Sequence, residues 1–388
     1  MDPASPTPHH RHLSSLEGTI YFSPGPALET GKRARAKQQF YGIIDHFQGS
    51  DKSRNSQYNR TLLVRLTYKY TRSEESQEIF LRAFFQAMSL SIDGEDDVDL
   101  EDTEEDLRLA LSCFADYLLD NFFLPLRASF HKTPQPSPQI HSAVRQAQGG
   151  GVQDFVGTPD QVASLQGDCL LHNRYQYVIS RRFDAEEANK HLMMHGDKAK
   201  DENGNLLVAG PRFSRLEVAH ILPHSLTKTG NNSQLHPSKK AVLDILNMFN
   251  NRVIHLIKGT DINRLRNVIT LTQSLHSWFG NFDIYFKPVL DQEHTYRIQS
   301  FLHPMVTPDL PVVHKLHFTK SRTIKPPSQC LLTLHHAISH ILHLSTAAGY
   351  ITKILNGMEW KDTRTDESTK LGRIVALKFG GWSEAVHT

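Results

Sequence analysis

Cysteine is scarce: Cys113, Cys169 and Cys330 are the three thiols of a 388-residue chain, and they lie far apart. Such thiols make neither a CxxC zinc knuckle nor a disulfide framework, which points to a reducing, intracellular setting, nuclear or cytoplasmic alike. Long apolar runs are also missing. No stretch of 18 uncharged apolar residues occurs, so neither a membrane span nor a membrane partner is expected. The opening MDPASPTPHHRHLSS lacks the apolar segment of a secretory signal. Nor is there an excess of one charge, since 43 Lys and Arg stand against 41 Asp and Glu. Overall charge therefore says little about partners. What is plentiful is histidine, with 23 copies, a residue that ligates metals and moves protons but also sits idle on surfaces.

The balanced total hides a gradient. Residues 1–130 carry 14 basic against 20 acidic side chains, and residues 165–290 carry 16 against 11. Residues 291–388 carry 11 against 8. Composition divides the chain into a disordered tail (1–20), a helical module (21–130), a Pro- and then Gly-rich linker (131–164), a mixed region (165–302) and a C-terminal helical segment (303–388). Within the helical module, apolar spacing predicts a helix over 58–92, and another over 104–124 that ends at Pro125. Ten of the 14 residues from Asp93 to Asp106 are acidic, which reads as a solvated loop. The run KRARAK (32–37) reads as a solvated patch in preference to an import signal, and HHRH (9–12) as tail.

The chemistry concentrates in the mixed region. RYQYVIS (174–180) has strand composition, and DENGNLL (201–207) carries an Asn-Gly turn signal. RLEVAHILPHS (215–225) is extended, with Leu216, Val218, His220 and Leu222 on one face. A helix is predicted over 239–258, then a strand NVITL (267–271), a short helix TQSLHSWF (272–279) capped by Thr272, and strands at 282–289 and 295–301. His220 on the first strand and His276 on the short helix could face one cleft, with Asn267 at its edge. Phosphodiester cleavage needs a base for water and a cation for the charge that builds on phosphorus and the leaving oxygen. A neutral His suits the first task, and a second His the other.

AHILPHS, NVITL and LHSWF, in the order His–Asn–His with eight residues between Asn267 and His276, resemble the HNH endonuclease motif of the ββα-metal (His-Me finger) scaffold. The fuller context is similar to the HNH domain common in fungal proteins, over roughly 165–302. The resemblance implies an α+β fold: a ββα-metal core with a helical insertion, flanked by mainly helical segments. It implies a metal-dependent endonuclease acting on DNA, with His220 as general base and His276 as metal ligand. Asn267 would order the loop or reach the metal. The cation would be Mg²⁺ or Mn²⁺, with Zn²⁺ or Ni²⁺ as further possibilities. Ala219 departs from the pattern, because many HNH nucleases place an acidic or His ligand just before the base; Glu217 and His224 are the nearest substitutes. Tyr177 stands where relatives often carry Cys, and the zinc-stapling cysteines of other members are absent.

Phosphate contacts are expected from Arg181, Arg182, Arg212, Arg215, Lys228, Lys239, Lys240, Arg264 and Arg266, giving affinity with little sequence preference. RNA is a weaker candidate substrate, and a non-catalytic module binding nucleic acid or a protein is the rival reading. Trp278, Phe279, Phe282, Tyr285 and Phe286 are expected in the core. His336, His340 and His343 share a helix face with no acidic companion, which favours packing over a metal site.

Overall fold

Apolar spacing and polar caps account for the N-terminal helices. The computed structural model describes residues 20, 22, 25–49, 57–93, 103–130, 169–170, 175–176, 182–201, 203–209, 213–227, 235–250, 253–316 and 326–359. The expected tail, linker and most of the acidic loop and of the 174–180 strand lie outside them. Helix α1 (Thr30–Phe47) buries Ala36, Phe40, Ile43, Ile44 and Phe47 at three- and four-residue steps. Its basic run is exposed or ion-paired, as Arg33 is to Glu78 and Glu74. The expected helix over 58–92 is in fact two, α2 (Arg60–Tyr70) and α3 (Glu74–Ala87). Ser73 makes the division: its backbone is extended and its Oγ accepts from Ser76 N at 3.0 Å, a second N-cap in mid-run.

Helix α4 (Glu104–Leu118) starts on Glu104, Glu105 and Asp106, whose carboxylates suit the positive end of the helix dipole. Contrary to expectation it does not stop at Pro125, because a π turn (Leu119–Phe123) leads into α5 (Leu124–Phe130). The wider turn shifts the hydrogen-bond register, so the ring of Pro125 and its missing N–H are accommodated. By length and composition Glu104–Phe130 could cross a membrane, contrary to the expectation from sequence, but 67% of its apolar window is buried inside the fold. That is the behaviour of a core helix. Phe84 meets Phe40 at 4.9 Å and Phe114 at 5.8 Å, both edge-on.

Helix α6 (Ala185–His195) is capped by Asp184, whose Oδ1 accepts from Glu186 N and Glu187 N. Strands β1 (Leu216–His220) and β2 (Val268–Thr272) pair antiparallel from Leu216↔Thr272 to His220↔Val268. Between them lie α7 (Pro237–Phe249) and α8 (Val253–Ile257), the predicted 239–258 helix interrupted by Asn250 in extended backbone. Helix α9 (Gln273–Gly280) follows β2 directly. Thr272 occupies its N-cap position, but the side chain makes no cap hydrogen bond. Strands β3 (Ile284–Pro288), β4 (Thr295–Ser300) and β5 (Val312–Lys315) form a second antiparallel sheet in that order. Helices α10 (Gln329–Leu344) and α11 (Ala347–Glu359) complete the described chain.

One apolar core runs through these elements, from Phe40 through Phe122, Phe249 and Phe279 to Ile351. Phe122 of the π turn stacks on Phe249 of α7 at 5.4 Å, joining the N-terminal helices to the mixed region. β5 pairs with β4, so the sheet continues past residue 302. Phe279, Phe282, Tyr285 and Phe286 are buried and Trp278 packs against them partly exposed.

Candidate active site

The alternation of β1 sets the geometry. Leu216, Val218 and His220 point to one side, Glu217 and Ala219 to the other, and all five are buried. Val218 and its diagonal neighbour Val268 pack with Cys169 and Leu265. Ala219, Ile269 and Leu271 join the main core, where Phe279 of α9 also lies. The helix thus covers the Glu217–Ala219 face, and the two strands with α9 form a ββα unit.

Asn267 is fully buried at the mouth of β2. Its Oδ1 accepts from Leu222 N at 2.9 Å, and its Nδ2 donates to Leu222 O at 2.8 Å and Ile262 O at 2.9 Å. Its own carbonyl accepts from Ile221 N at 2.7 Å. All this ties the segment after His220 to the segment before β2. The amide is engaged at both ends with backbone, the arrangement that orders this loop.

His220 is 4% exposed. Among the described residues neither ring nitrogen makes a well-formed hydrogen bond, and Oδ1 of the nearby Asn263 is likewise buried without one, the two side chains standing close but poorly aligned. Burial above all holds the imidazole down to about 3; His224 and His276 push the same way, while the nearby Asn263 amide opposes them. The His224 ring lies 5.9 Å away. His220 is therefore neutral at physiological pH.

His276 stands one turn into α9 and is 8% exposed. Its Nδ1 lies 2.9 Å from Oε2 of Glu217. An N–H at Nδ1 donating to the carboxylate leaves the lone pair on Nε2. His276 bonds Glu217 on one face of β1 while His220 stands on the other, so the two rings do not line the single shared cleft expected from sequence; they interact only through their electrostatics. Asn263, and the grip of Glu217 on His276, are the parts that the motif did not announce. Glu217 stood out only as the acid nearest Ala219, and nothing in the sequence marks Asn263.

A divalent cation, implied by the HNH resemblance, would find Nε2 of His276 and little else. Among the described residues no group of three or more His, Cys, Asp or Glu side chains converges. Ala219 offers no donor. These residues fit a cation carried largely by water and the substrate's own phosphate, as Mg²⁺ commonly is, and do not fit a closed structural zinc site.

The expected phosphate-binding cations are placed unevenly. Arg181, Arg212 and Lys228 lie outside the described residues. Arg182 is 3.8 Å from Asp309, and Arg215 is 3.6 Å from Glu186. Arg264 and Arg266 share Asp261, at 2.9 and 2.7 Å. Lys240 lies near Asp244 one turn on. Lys239 is 5% exposed, which corrects its reading as a surface contact: it faces the core side of the amphipathic α7.

Residues 196–287 match a family model described as HNH endonuclease. The match contains His220, Asn267 and His276. No curated protein and no solved structure matches the chain.

Proposed function

We propose that the HNH endonuclease domain at residues 196–287 hydrolyses phosphodiester bonds of DNA with a divalent cation. The observation that carries this reading is the gathering of His220, Asn267 and His276, in family order, onto β1, the mouth of β2 and α9 of one ββα unit. His220 serves as general base. Burial keeps it neutral, so its lone pair is free to take a proton from the attacking water. Buried alone it is a weak base, and the negative charge of an incoming phosphate strengthens it by favouring the imidazolium form.

His276 presents Nε2 towards the cation, and Glu217 holds the ring through Nδ1, the carboxylate–histidine arrangement that fixes the orientation of a ligating imidazole. When bound, the cation neutralises charge on phosphorus and the leaving oxygen; Mg²⁺ or Mn²⁺ suits that role, with Zn²⁺ or Ni²⁺ as alternatives. Asn267 fixes the loop that carries Leu222, and with it the end of β1 at which His220 stands. Lys240, Arg264 and Arg266 lie on the insertion that leads into β2, and they would contact phosphate only by giving up Asp244 and Asp261.

Two observations favour a second reading, a non-catalytic module that binds nucleic acid: the deep burial of His220, and Ala219 in place of a donor. Supercoiled plasmid incubated with the purified protein and Mg²⁺ or Mn²⁺ separates the two. Cleavage is expected, with His220→Ala and His276→Ala each slower by about 100-fold or more. Glu217→Gln, which keeps an acceptor but loses the charge, should raise the cation concentration needed by about 10-fold or more. If His220→Ala cuts as fast as wild type, the assigned mechanism is wrong. A wild-type protein that retards DNA and never cuts it supports the second reading.

A further inference from the structure

The sheet that follows α9 carries charge that the ββα site does not use. In its register Lys287 lies opposite Arg297, Arg297 opposite Val313, and Thr295 opposite Lys315. Residues opposite one another share a face, as do residues two apart on a strand, so Lys287, Arg297 and Lys315 lie on one face, Lys315 one step diagonally off the Lys287–Arg297 pair, with Tyr285 and Gln299 beside them. All three cations are exposed. Like charges directly opposite on neighbouring strands destabilise a sheet. None of the three enters an ion pair with a described residue, so within the fold that cost is not offset.

Helix α10 borders this face with a band of rings. Tyr285 lies 5.0 Å from His336 and 4.7 Å from His340, and Phe301 stacks on His343 at 4.2 Å. Lys69 and Arg72, at and just beyond the end of α2, are exposed, and with Lys287 they bear on His336 and His340. Neither Lys69 nor Arg72 pairs with a described carboxylate. Two acids lie close by, Asp283 3.3 Å from Nε2 of His343 and the exposed Glu293 3.3 Å from Nε2 of His294.

We propose that this face (Lys287, Arg297, Lys315, Lys69 and Arg72) is a second nucleic-acid contact surface, holding the phosphate backbone of duplex DNA away from the scissile site. Charge complementarity argues for a polyanion, and continuity with α9, which turns through Asn281–Asp283 into β3, argues for the same molecule that the ββα unit engages. The choice of DNA rests on the nuclease reading. Of the five cations only Lys287 lies within the family match, so the surface is an addition to the domain. It contrasts with Arg264 and Arg266 on the insertion, which share Asp261.

The test uses the full chain, a fluorescent duplex of about 30 base pairs and a salt titration without divalent cation, long enough for a backbone to span both surfaces. The triple variant Lys287→Gln, Arg297→Gln, Lys315→Gln should bind at least about tenfold more weakly at fixed salt. Its dependence of log affinity on log salt should be shallower by about 2 to 3, one for each phosphate that the variant no longer neutralises. Arg35→Gln with Lys37→Gln on α1 should bind as wild type. Melting of the triple variant should be unchanged or raised, since a like-charge pair is relieved. With cation present, it should need more DNA for half-maximal cleavage at an unaltered maximal rate. An unchanged affinity and salt slope overturn the proposal. So does loss of binding to phosphatidylserine vesicles with DNA binding intact. A wild type that binds through this face and never cuts refutes the nuclease reading and leaves the surface standing.

Discussion

Asn267 has the motif's identity but works through backbone. Its amide closes three hydrogen bonds to Leu222 and Ile262, all buried. Asn267→Ala would leave a backbone N–H and two carbonyls unpaired, and each such group costs about 1–3 kcal/mol. A loss of about 3 kcal/mol or more in denaturant-derived stability is expected, with cleavage falling in step because the end of β1 loosens. A variant as stable as wild type would place the amide in solvent instead. The histidines divide at the same scale. The sequence pattern singled out His220 and His276 by their neighbours, and took His336, His340 and His343 as packing residues, where they indeed stand against Tyr285 and Phe301. His335, read with them as part of a packed helix but off their shared face, is wholly buried, stacks on Phe279 at 3.8 Å and bonds the Phe279 carbonyl at 3.0 Å. Its role is decided by a helix 56 residues away in sequence, and no local pattern carries that.

Elements were legible where a short-range rule governs them. Period-two alternation marked β1, and the Asn-Gly signal marked the turn at Gly204, whose φ of +86° lies between bridged Lys200 and Leu206. Breaks were harder to read, because Ser73 and Asn250 each interrupt a stripe that apolar spacing alone would continue. Pro125 erred the other way, since the π turn before it absorbs the ring. Gly280 ends α9 where a Cβ would stand 3.1 Å from Cβ of Phe130. The helix that carries His276 can close on α5 only because that position is bare. Gly280→Ala should cost about 1–3 kcal/mol through overpacking, seen as a lower melting temperature. Unchanged melting would mean that α5 yields freely.

Across the whole molecule, acid should be the condition that undoes the fold. Burial, as the largest cause, holds His335 and His336 at about 3 and His340 at about 4. Lys287, Arg72 and Lys69 add to this around His336 and His340, His343 faces His340, and Asp283 lies 3.3 Å from His343. These folded values are depressed below the usual 6.5, so the unfolded chain takes up protons first. The stabilisation is complete above pH 6.5 and is lost as pH falls towards 4, at about 1.4 kcal/mol per pH unit for each proton. Denaturation series at pH 7, 6, 5 and 4 should show a steep decline; a flat profile would contradict the burial of these rings.

By itself the sequence determined the ordered His–Asn–His set, the strand that bears His220, the helix that bears His276 and the absence of a cysteine-built metal staple. Each follows from residue type and spacing along a few turns or one strand. Only the tertiary structure decided which charges are available. Arg182, Arg215, Arg264 and Arg266 find acids, two of them far along the chain, whereas Lys287, Arg297 and Lys315 align because three strands pair in one register. It also decided that Glu217 grips His276 and that His220 is buried. Pairing and burial depend on residues brought together from distant parts of the chain, and composition records neither.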